Sequence, residues 1–370
     1  MQRFRNASKA LLLFYCLLSP LFVRGDNSVL SKPNLKVLDI GNSYTDDATA
    51  YLPEIVAKLG VDVSDMCLYK AIRGGASFWN WYNIYSDSDP YNYHISKVLG
   101  GLKANVSEGS CEPYDGSLFR EALTGEQWDV IIIHQYSAYA TSYDQWFGNG
   151  RDGYLTELLE LLKRHQPQCQ IGFLLIHSYA GDYVGNVEHS AFDRWVNIAA
   201  AAKRFVDDYD IELIIPYGTA VQNLRTTEYN NQYDLTRDLT HLGSGLARYT
   251  AACCYYESLI APRTGVSMLG ANIPYLLDNI PETSQISVTE ENMLTAQKAA
   301  KLAVMYPFKC YWPNNYSAEK ITMSVSNIYT SSTPHSGTYK SFSIDGKCLD
   351  RCQKGVNIIR SNDRYVKSVK

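Results

Sequence analysis

Histidine is scarce in this chain, seven in 370 residues, and none fall at the spacing of a metal-ligand cluster. Nine cysteines are present but form no paired Cys-x-x-Cys motifs, which removes the common zinc-site signatures. No metal site is expected. Beyond residues 11–23 there is no long apolar run, so no transmembrane span is expected. A basic tract is missing as well, and the formal charge of -4 argues against a nucleic-acid partner. No internal repeat is visible.

What is present begins with an export signature. Arg3, Arg5 and Lys9 form a basic start, residues 11–23 an apolar middle, and Val23-Arg24-Gly25 a cleavage pattern before Asp26. Residues 1–25 read as a signal peptide. Cys16 follows Tyr15, unlike a lipoprotein attachment site. Loss of Arg3, Arg5, Lys9 and Arg24 moves the charge from -4 to -8. The expected location is periplasmic, cell-surface or secreted. Hydrophobic residues make up 46% of the chain, ordinary for a globular fold, but 29 tyrosines are many. Tyrosine at that level suits surfaces that grip sugars, or it simply replaces phenylalanine.

Five short apolar runs, at 35–40, 61–69, 128–134, 170–177 and 211–215, have the character of parallel strands buried on both faces. Helical patterns separate most of them. Ala48, Leu52, Ile55, Val56 and Leu59 share one face before Gly60, and Leu155, Leu158, Leu159 and Leu162 share another. Further helices are expected over about 187–209 and 244–259. Alternating strand and helix predicts a doubly wound parallel sheet. Residues 71–127 and 136–153 break that rhythm with aromatics, glycines and Asp-Pro turns. They are expected as long loops over the carboxyl edge, where ligands bind. From 317 the chain turns Ser/Thr-rich. It then alternates like β-hairpins with turns at Asp345-Gly346 and Asn362-Asp363, a β-rich appendage or a sorting-type tail.

The first strand ends in Gly41-Asn42-Ser43 and a helical pattern follows at once. Ser43 there is either a nucleophile at the carboxyl edge or, like Thr45, a helix cap. Asp238-Leu239-Thr240-His241 follows the fifth strand, a spacing that lets a carboxylate face one imidazole nitrogen while the other points outward. The alternative is a turn cap beside a surface histidine. Gly74 and Gly75 follow the second strand, where a glycine N–H can approach a substrate oxygen. Gln135 ends the third and offers a side-chain donor. His134, alternating with it, reads as a satisfied buried histidine on the other side.

Taken in order, Gly41-Asn42-Ser43, Gly74/Gly75, Gln135 and Asp238-x-x-His241 resemble the blocks of SGNH (GDSL-like) hydrolases. Within that superfamily the chain is similar to an exported bacterial branch known only as a domain of unknown function. The resemblance covers about 34–310 and places the hydrolase domain at 26–316. It implies a flavodoxin-like three-layer α/β/α sandwich with a five-stranded parallel sheet. It also implies esterase chemistry without metal or organic cofactor. Ser43 would be the nucleophile, His241 the base and acid, and Asp238 its orienter. N–H groups of Ser43 and of Gly74 or Gly75 would hold the oxyanion. Two blocks depart from the pattern: Gly-Asn-Ser replaces Gly-Asp-Ser, and Gln135 stands where Gly-x-Asn is usual.

The expected activity is exported hydrolysis of small acyl esters, acetyl above all, on carbohydrates. Trp79, Trp81, Tyr82, Tyr136 and Tyr139 are the candidate sugar-stacking residues. The partner would be a small-molecule or glycan ester. A noncatalytic glycan-binding protein on the same fold is the alternative.

Overall fold

The computed structural model describes residues 29–274 and 285–316, together with the backbone of four strands between 340 and 369. Residues 1–25, expected as a signal peptide, lie outside the described residues. Two compact units divide at Tyr316 and Ser317.

The larger unit runs through β1 (Leu35–Gly41), α1 (Ser43–Thr49), α2 (Leu52–Leu59), β2 (Met66–Ile72) and α3 (Phe78–Tyr85). It continues through β3 (Tyr93–Leu99), β4 (Gly109–Cys111), α4 (Ser117–Thr124), β5 (Val130–Ile133) and α5 (Leu155–His165). Then come β6 (Gln170–Leu174), α6 (Ala191–Asp208), β7 (Leu213–Ile215) and α7 (Tyr217–Leu224). Helices α8 (Leu246–Leu259), α9 (Ala261–Thr264) and α10 (Glu290–Met305) complete it.

The sheet order is β4-β3-β2-β1-β5-β6-β7. Strands β2, β1, β5, β6 and β7 are mutually parallel and correspond to the five apolar runs. Their order, counted among themselves, is the flavodoxin-like 2-1-3-4-5. The sheet nevertheless has seven strands and not five. Strand β3 pairs antiparallel with β2, and β4 with β3. Both lie in 71–127, so that stretch is no long loop. It holds α3, an antiparallel edge pair and α4. Strand β2 also starts later than the run at 61–69, because Met66 through Ile72 is the segment in register with Leu35 through Gly41.

Right-handed crossovers explain the layering. The chain leaves β1 toward β2 in one direction and all later crossovers run in the other. That puts α1 and α2 on one face and α3 to α6 on the opposite one. Helix α8 packs against α1 and α2, and α10 against α7 and α8, while α3, α4 and α5 contact one another. Leu35, Val37, Leu38 and Ile40 of β1 are at most 1% exposed. Each such burial is worth about 1.5–3 kcal/mol. Because β1 lies at the point where the crossover direction reverses, its carboxyl end opens into the crevice where such folds bind ligands.

Residues 136–153 form a loop as expected, with a short 3-10 turn at Tyr143–Phe147. Two of its aromatics are structural: Tyr143 and Trp146 are buried against each other, and Trp146 reaches Phe173 and Phe205. Cys253 and Cys254 are both buried and free. The smaller unit forms an antiparallel sheet in the order β11-β10-β8-β9, from β8 (Lys340–Phe342), β9 (Cys348–Leu349), β10 (Val356–Ser361) and β11 (Arg364–Val369). Ser361 pairs with Arg364, and the turns expected at 345–346 and 362–363 lie outside the described residues.

Candidate active site

The site is assembled from the turn after β1. Gly41 has no room for a side chain, since a Cβ would collide with Thr45 Oγ1 and His134 Nε2. Its carbonyl accepts from Arg73 N (3.3 Å) and Trp81 Nε1 (3.2 Å). Asn42, extended at φ -138°, caps α1 by accepting from Tyr44 N at 2.9 Å. Its Nδ2 donates to Ala76 O at 2.9 Å. The asparagine therefore does the capping and ties the turn to the glycine loop. Ser43, half-buried, keeps its hydroxyl for another partner.

That partner is His241. Ser43 Oγ lies 2.8 Å from His241 Nε2, and His241 Nδ1 lies 2.8 Å from Asp238 Oδ2. A carboxylate on Nδ1 fixes the proton there and leaves Nε2 to accept from the serine. Asp238 Oδ1 accepts from the backbone N–H of His241 (2.7 Å) and of Thr240 (3.0 Å), and from Thr240 Oγ1 (2.7 Å). Burial raises the Asp238 pKa, but these bonds outweigh it and hold the carboxyl well below the usual range. The turn is tight enough to force Leu239 to φ 67°, a left-handed conformation uncommon outside glycine.

Two layers support this turn from behind. Tyr44 Oη donates to Thr240 O at 2.7 Å, and His177 Nε2 lies 2.8 Å from the same oxygen. His177 Nδ1 faces the Tyr217 hydroxyl at 3.1 Å. Burial, followed by the Arg225 charge, pushes His177 well below its usual pKa, so it is neutral. Farther out, fully buried Asp47 accepts from Arg237, Arg248 and the backbone N–H of Leu242. Sequence reasoning missed Tyr44, His177 and Asp47. The one available signal was His177, a polar residue closing the apolar run at 170–177.

The glycine loop follows β2. Gly75 adopts φ 65°, which favours glycine, and the Tyr136 ring packs beside it. Arg73 Nη1 donates to Gly74 O at 2.7 Å, while its guanidinium is held by buried Asp89 and lies over Tyr91. Asn80 Nδ2 donates to the same Asp89 at 2.6 Å. Among the described residues, no protein group accepts from the N–H of Ser43, Gly74 or Gly75.

Gln135, expected as an oxyanion donor, is instead 1% exposed and bound entirely to backbone groups. Its Oε1 accepts from Phe78 N (3.3 Å) and Tyr136 N (2.9 Å), and its Nε2 donates to Asp152 O (2.9 Å). It ties the start of α3 to both ends of the 136–153 loop at the carboxyl edge. His134 is a satisfied buried histidine as expected, and it points to the side opposite Gln135, toward α1 and the Ser43 turn. Its Nδ1 is 3.0 Å from Gln135 O, and its Nε2 lies 3.4 Å from Asn42 N and 3.1 Å from Thr45 Oγ1. Burial lowers its pKa to about 4.

Of the aromatics, Trp79, Tyr82, Tyr136 and Tyr139 are half-buried. Trp79 lies under Arg151, Tyr82 beside Tyr154, and Tyr136 edge-on to Tyr139. Trp81 is a correction. It is 1% exposed, tilted against Phe119, and spends its indole N–H on Gly41, so no substrate can stack on it. No cluster of three or more potential metal ligands occurs among the described residues. Nor is any described helix long and apolar enough to cross a membrane.

A family model described as a domain of unknown function, DUF4886, matches residues 36–268. The chain belongs to the DUF4886 family. This is the kind of family that the sequence blocks led us to expect. A DUF4886 protein from Bacteroides uniformis ATCC 8492 is similar over 76% of this chain and 99% of its own, at 26% identity and a TM-score of 0.57. A GDSL-like lipase from Bacteroides thetaiotaomicron VPI-5482 aligns over 63% of this chain and 88% of its own, with 12% identity and a TM-score of 0.34. An acetyl xylan esterase, AlAXEase, aligns over 59% and 96%, with 16% identity and a TM-score of 0.34. No curated protein matches this DUF4886 chain.

Proposed function

We propose that this DUF4886 protein is a serine ester hydrolase that works through an acyl-enzyme. The observation that carries the reading is the unbroken chain Ser43 Oγ–His241–Asp238, with both links at 2.8 Å. Ser43 Oγ attacks the ester carbonyl while His241 Nε2 takes its proton, and Asp238 stabilises the imidazolium that results. The tetrahedral oxyanion accepts from the N–H of Ser43 and from the glycine loop. Arg73 holds the Gly74 carbonyl. In a planar trans peptide the N–H points opposite to the C=O, so we assign Gly75 N–H as the second donor. His241 returns the proton to the leaving alkoxide, then activates water to release the acid.

Half-buried Trp79, Tyr82, Tyr136 and Tyr139 support a sugar bearing small acyl groups as substrate, acetyl first among them. Gln135 acts here by fixing the start of α3 at Phe78 and the loop that carries Tyr136 and Asp152. In our reading residues 1–25 direct export, 26–316 form the hydrolase domain, and 317–370 are a β-rich appendage. The test is labelling by a fluorophosphonate probe, with turnover on aryl acetates and acetylated sugars. Labelling that persists in Ser43→Ala, or a wild-type protein that neither labels nor turns over, overturns the proposal.

A further inference from the structure

Directly beneath the nucleophile's turn lies a carboxyl group the proposed reaction does not use. Asp39, in the middle of β1, is fully buried. Its Oδ2 accepts from Tyr255 of α8 at 2.9 Å, and its Oδ1 lies 3.2 Å from Thr45 Oγ1. Thr45 Oγ1 in turn lies 3.1 Å from His134 Nε2. The charged neighbours are few. Lys70, opposite Asp39 on β2, is paired with Asp46 of α1 at 2.7 Å. Tyr217 and His134 also face it, with Tyr44 and Asp47 farther out beside Tyr217.

Proton counting decides the arrangement. His134 Nδ1 faces the carbonyl of Gln135, which can only accept, so Nδ1 carries the ring proton. The imidazole is neutral, and Nε2 is therefore an acceptor. Thr45 has one hydroxyl proton and two groups that want it. If Asp39 were ionised, it would take that proton, and Nε2 would keep only the long 3.4 Å contact from Asn42 N while an oxygen lone pair faced it at 3.1 Å. If Asp39 is protonated, its O–H donates to Thr45 and the Thr45 O–H donates to His134, so every group is satisfied. Burial, opposed by the bonds from Tyr255 and Thr45 and by Lys70, raises Asp39 to about 7.

We propose that Asp39 is a positioning residue that works as a neutral acid, holding the Ser43 turn through Thr45 and His134. The last link is Asn42 N, whose N–H faces His134 Nε2 one residue before the nucleophile. Gly41 has no spare volume above these groups, so a widening of the Thr45–His134 contact moves the turn itself. Loss of the Asp39 proton releases the turn and slows the serine step. Asparagine in its place is a permanent mimic of the neutral acid: its N–H₂ donates to Thr45 and its carbonyl accepts from Tyr255.

The functional consequence rests on the ester-hydrolase reading, so the test has two arms. In the first, infrared spectra of the full chain near neutral pH should show the C=O stretch of a buried carboxylic acid. That band should be absent from Asp39→Asn and unaffected by Ser43→Ala. This arm needs no turnover, and a missing band overturns the proposal whatever the enzyme does. In the second, kcat on an aryl acetate is followed from about pH 6 to pH 9. Wild type should lose about fivefold, the worth of one net hydrogen bond, as pH rises through the Asp39 titration. Asp39→Asn should stay within a few-fold of wild type and lose that alkaline fall. Thr45→Val, which cuts the relay, should be slower throughout and equally flat. An unchanged alkaline fall in Asp39→Asn, or inactivity of that variant at every pH while folded, overturns the proposal. Absence of turnover in wild type with the infrared band present sinks the esterase reading and the functional role, but leaves the neutral acid standing.

Discussion

Tyr44 lies flat against His177, ring centroids 4.2 Å apart and planes 19° from parallel, and both side chains point a hydrogen at the carbonyl of Thr240. That carbonyl belongs to the peptide bond leading into His241. The pair thus fixes the plane from which the imidazole projects, without touching the imidazole nitrogens.

Tyr44→Phe and His177→Gln should therefore slow catalysis without weakening substrate binding. Phenylalanine keeps the stack and loses one bond to Thr240. A fall in kcat of about tenfold, with KM within twofold, is the expected outcome, since misplacement of a catalytic group costs orientation. Steady-state kinetics on one ester decide it. A change confined to KM would place the pair in substrate binding.

For the triad itself, Ser43→Ala and His241→Ala should each reduce kcat by at least about 10³, and the double variant should be little worse than either. Circular dichroism should remain that of wild type, because neither half-exposed side chain belongs to the core. Additive losses in the double variant would show that the two residues act separately.

Gln135→Ala leaves the N–H groups of Phe78 and Tyr136 and the carbonyl of Asp152 without their partner. Each unsatisfied buried group costs about 1–3 kcal/mol. Melting should fall by several degrees while kcat per folded molecule stays within tenfold, both measured on one preparation. A loss in kcat of about 10²–10³ with unchanged melting would instead make Gln135 an oxyanion donor.

Stability should carry the signature of the buried groups. Burial lowers His134 to about 4 and, with the Arg225 charge, His177 well below its usual value of 6.5. From about pH 4 to 6.5 the unfolded chain binds more protons at both, and their effect is stability that rises with pH. Asp39 acts with the opposite sign. Raised by burial from 3.8 to about 7, it keeps a proton the unfolded chain has lost, and stability falls as pH rises through that window. Asp39→Asn removes the opposing slope. Its stability relative to wild type should grow by up to about 1.4 kcal/mol per pH unit in urea melts between about pH 4.5 and 6.5. A constant difference would mean that Asp39 is already ionised in the folded protein.

The five parallel strands were legible because each is apolar on both faces, a signal that survives in a single sequence. The edge pair β3 and β4 was not. Strand β3 buries Tyr93, Ile95 and Leu99 but leaves its other residues half-exposed, and β4 spans three residues. Reading that region as loop hid a helical face as well. Phe78, Trp81 and Ile84 recur at threes along α3 and turn inward, while Trp79 and Tyr82 stay partly open. Within the candidate site, Ser43, Asp238 and His241 stood out because each lies in a short block, Gly41-Asn42-Ser43 or Asp238-x-x-His241. Tyr44, His177, Asp47 and Asp39 did not, because their roles come from partners far along the chain. Tyr44 and Thr240 are 196 positions apart.

The same separation shapes the life of the chain. Ser43 belongs to the first described strand-helix turn, and the imidazole it faces comes 198 positions later. On a ribosome the serine emerges with one strand of the sheet and no imidazole. Nothing activates it until β5, β6 and β7 have docked in turn and the Asp238–His241 turn has closed over α1. Under the proposed chemistry the nucleophile is mute throughout synthesis, and a chain stalled anywhere short of residue 241 carries no hydrolytic power at all.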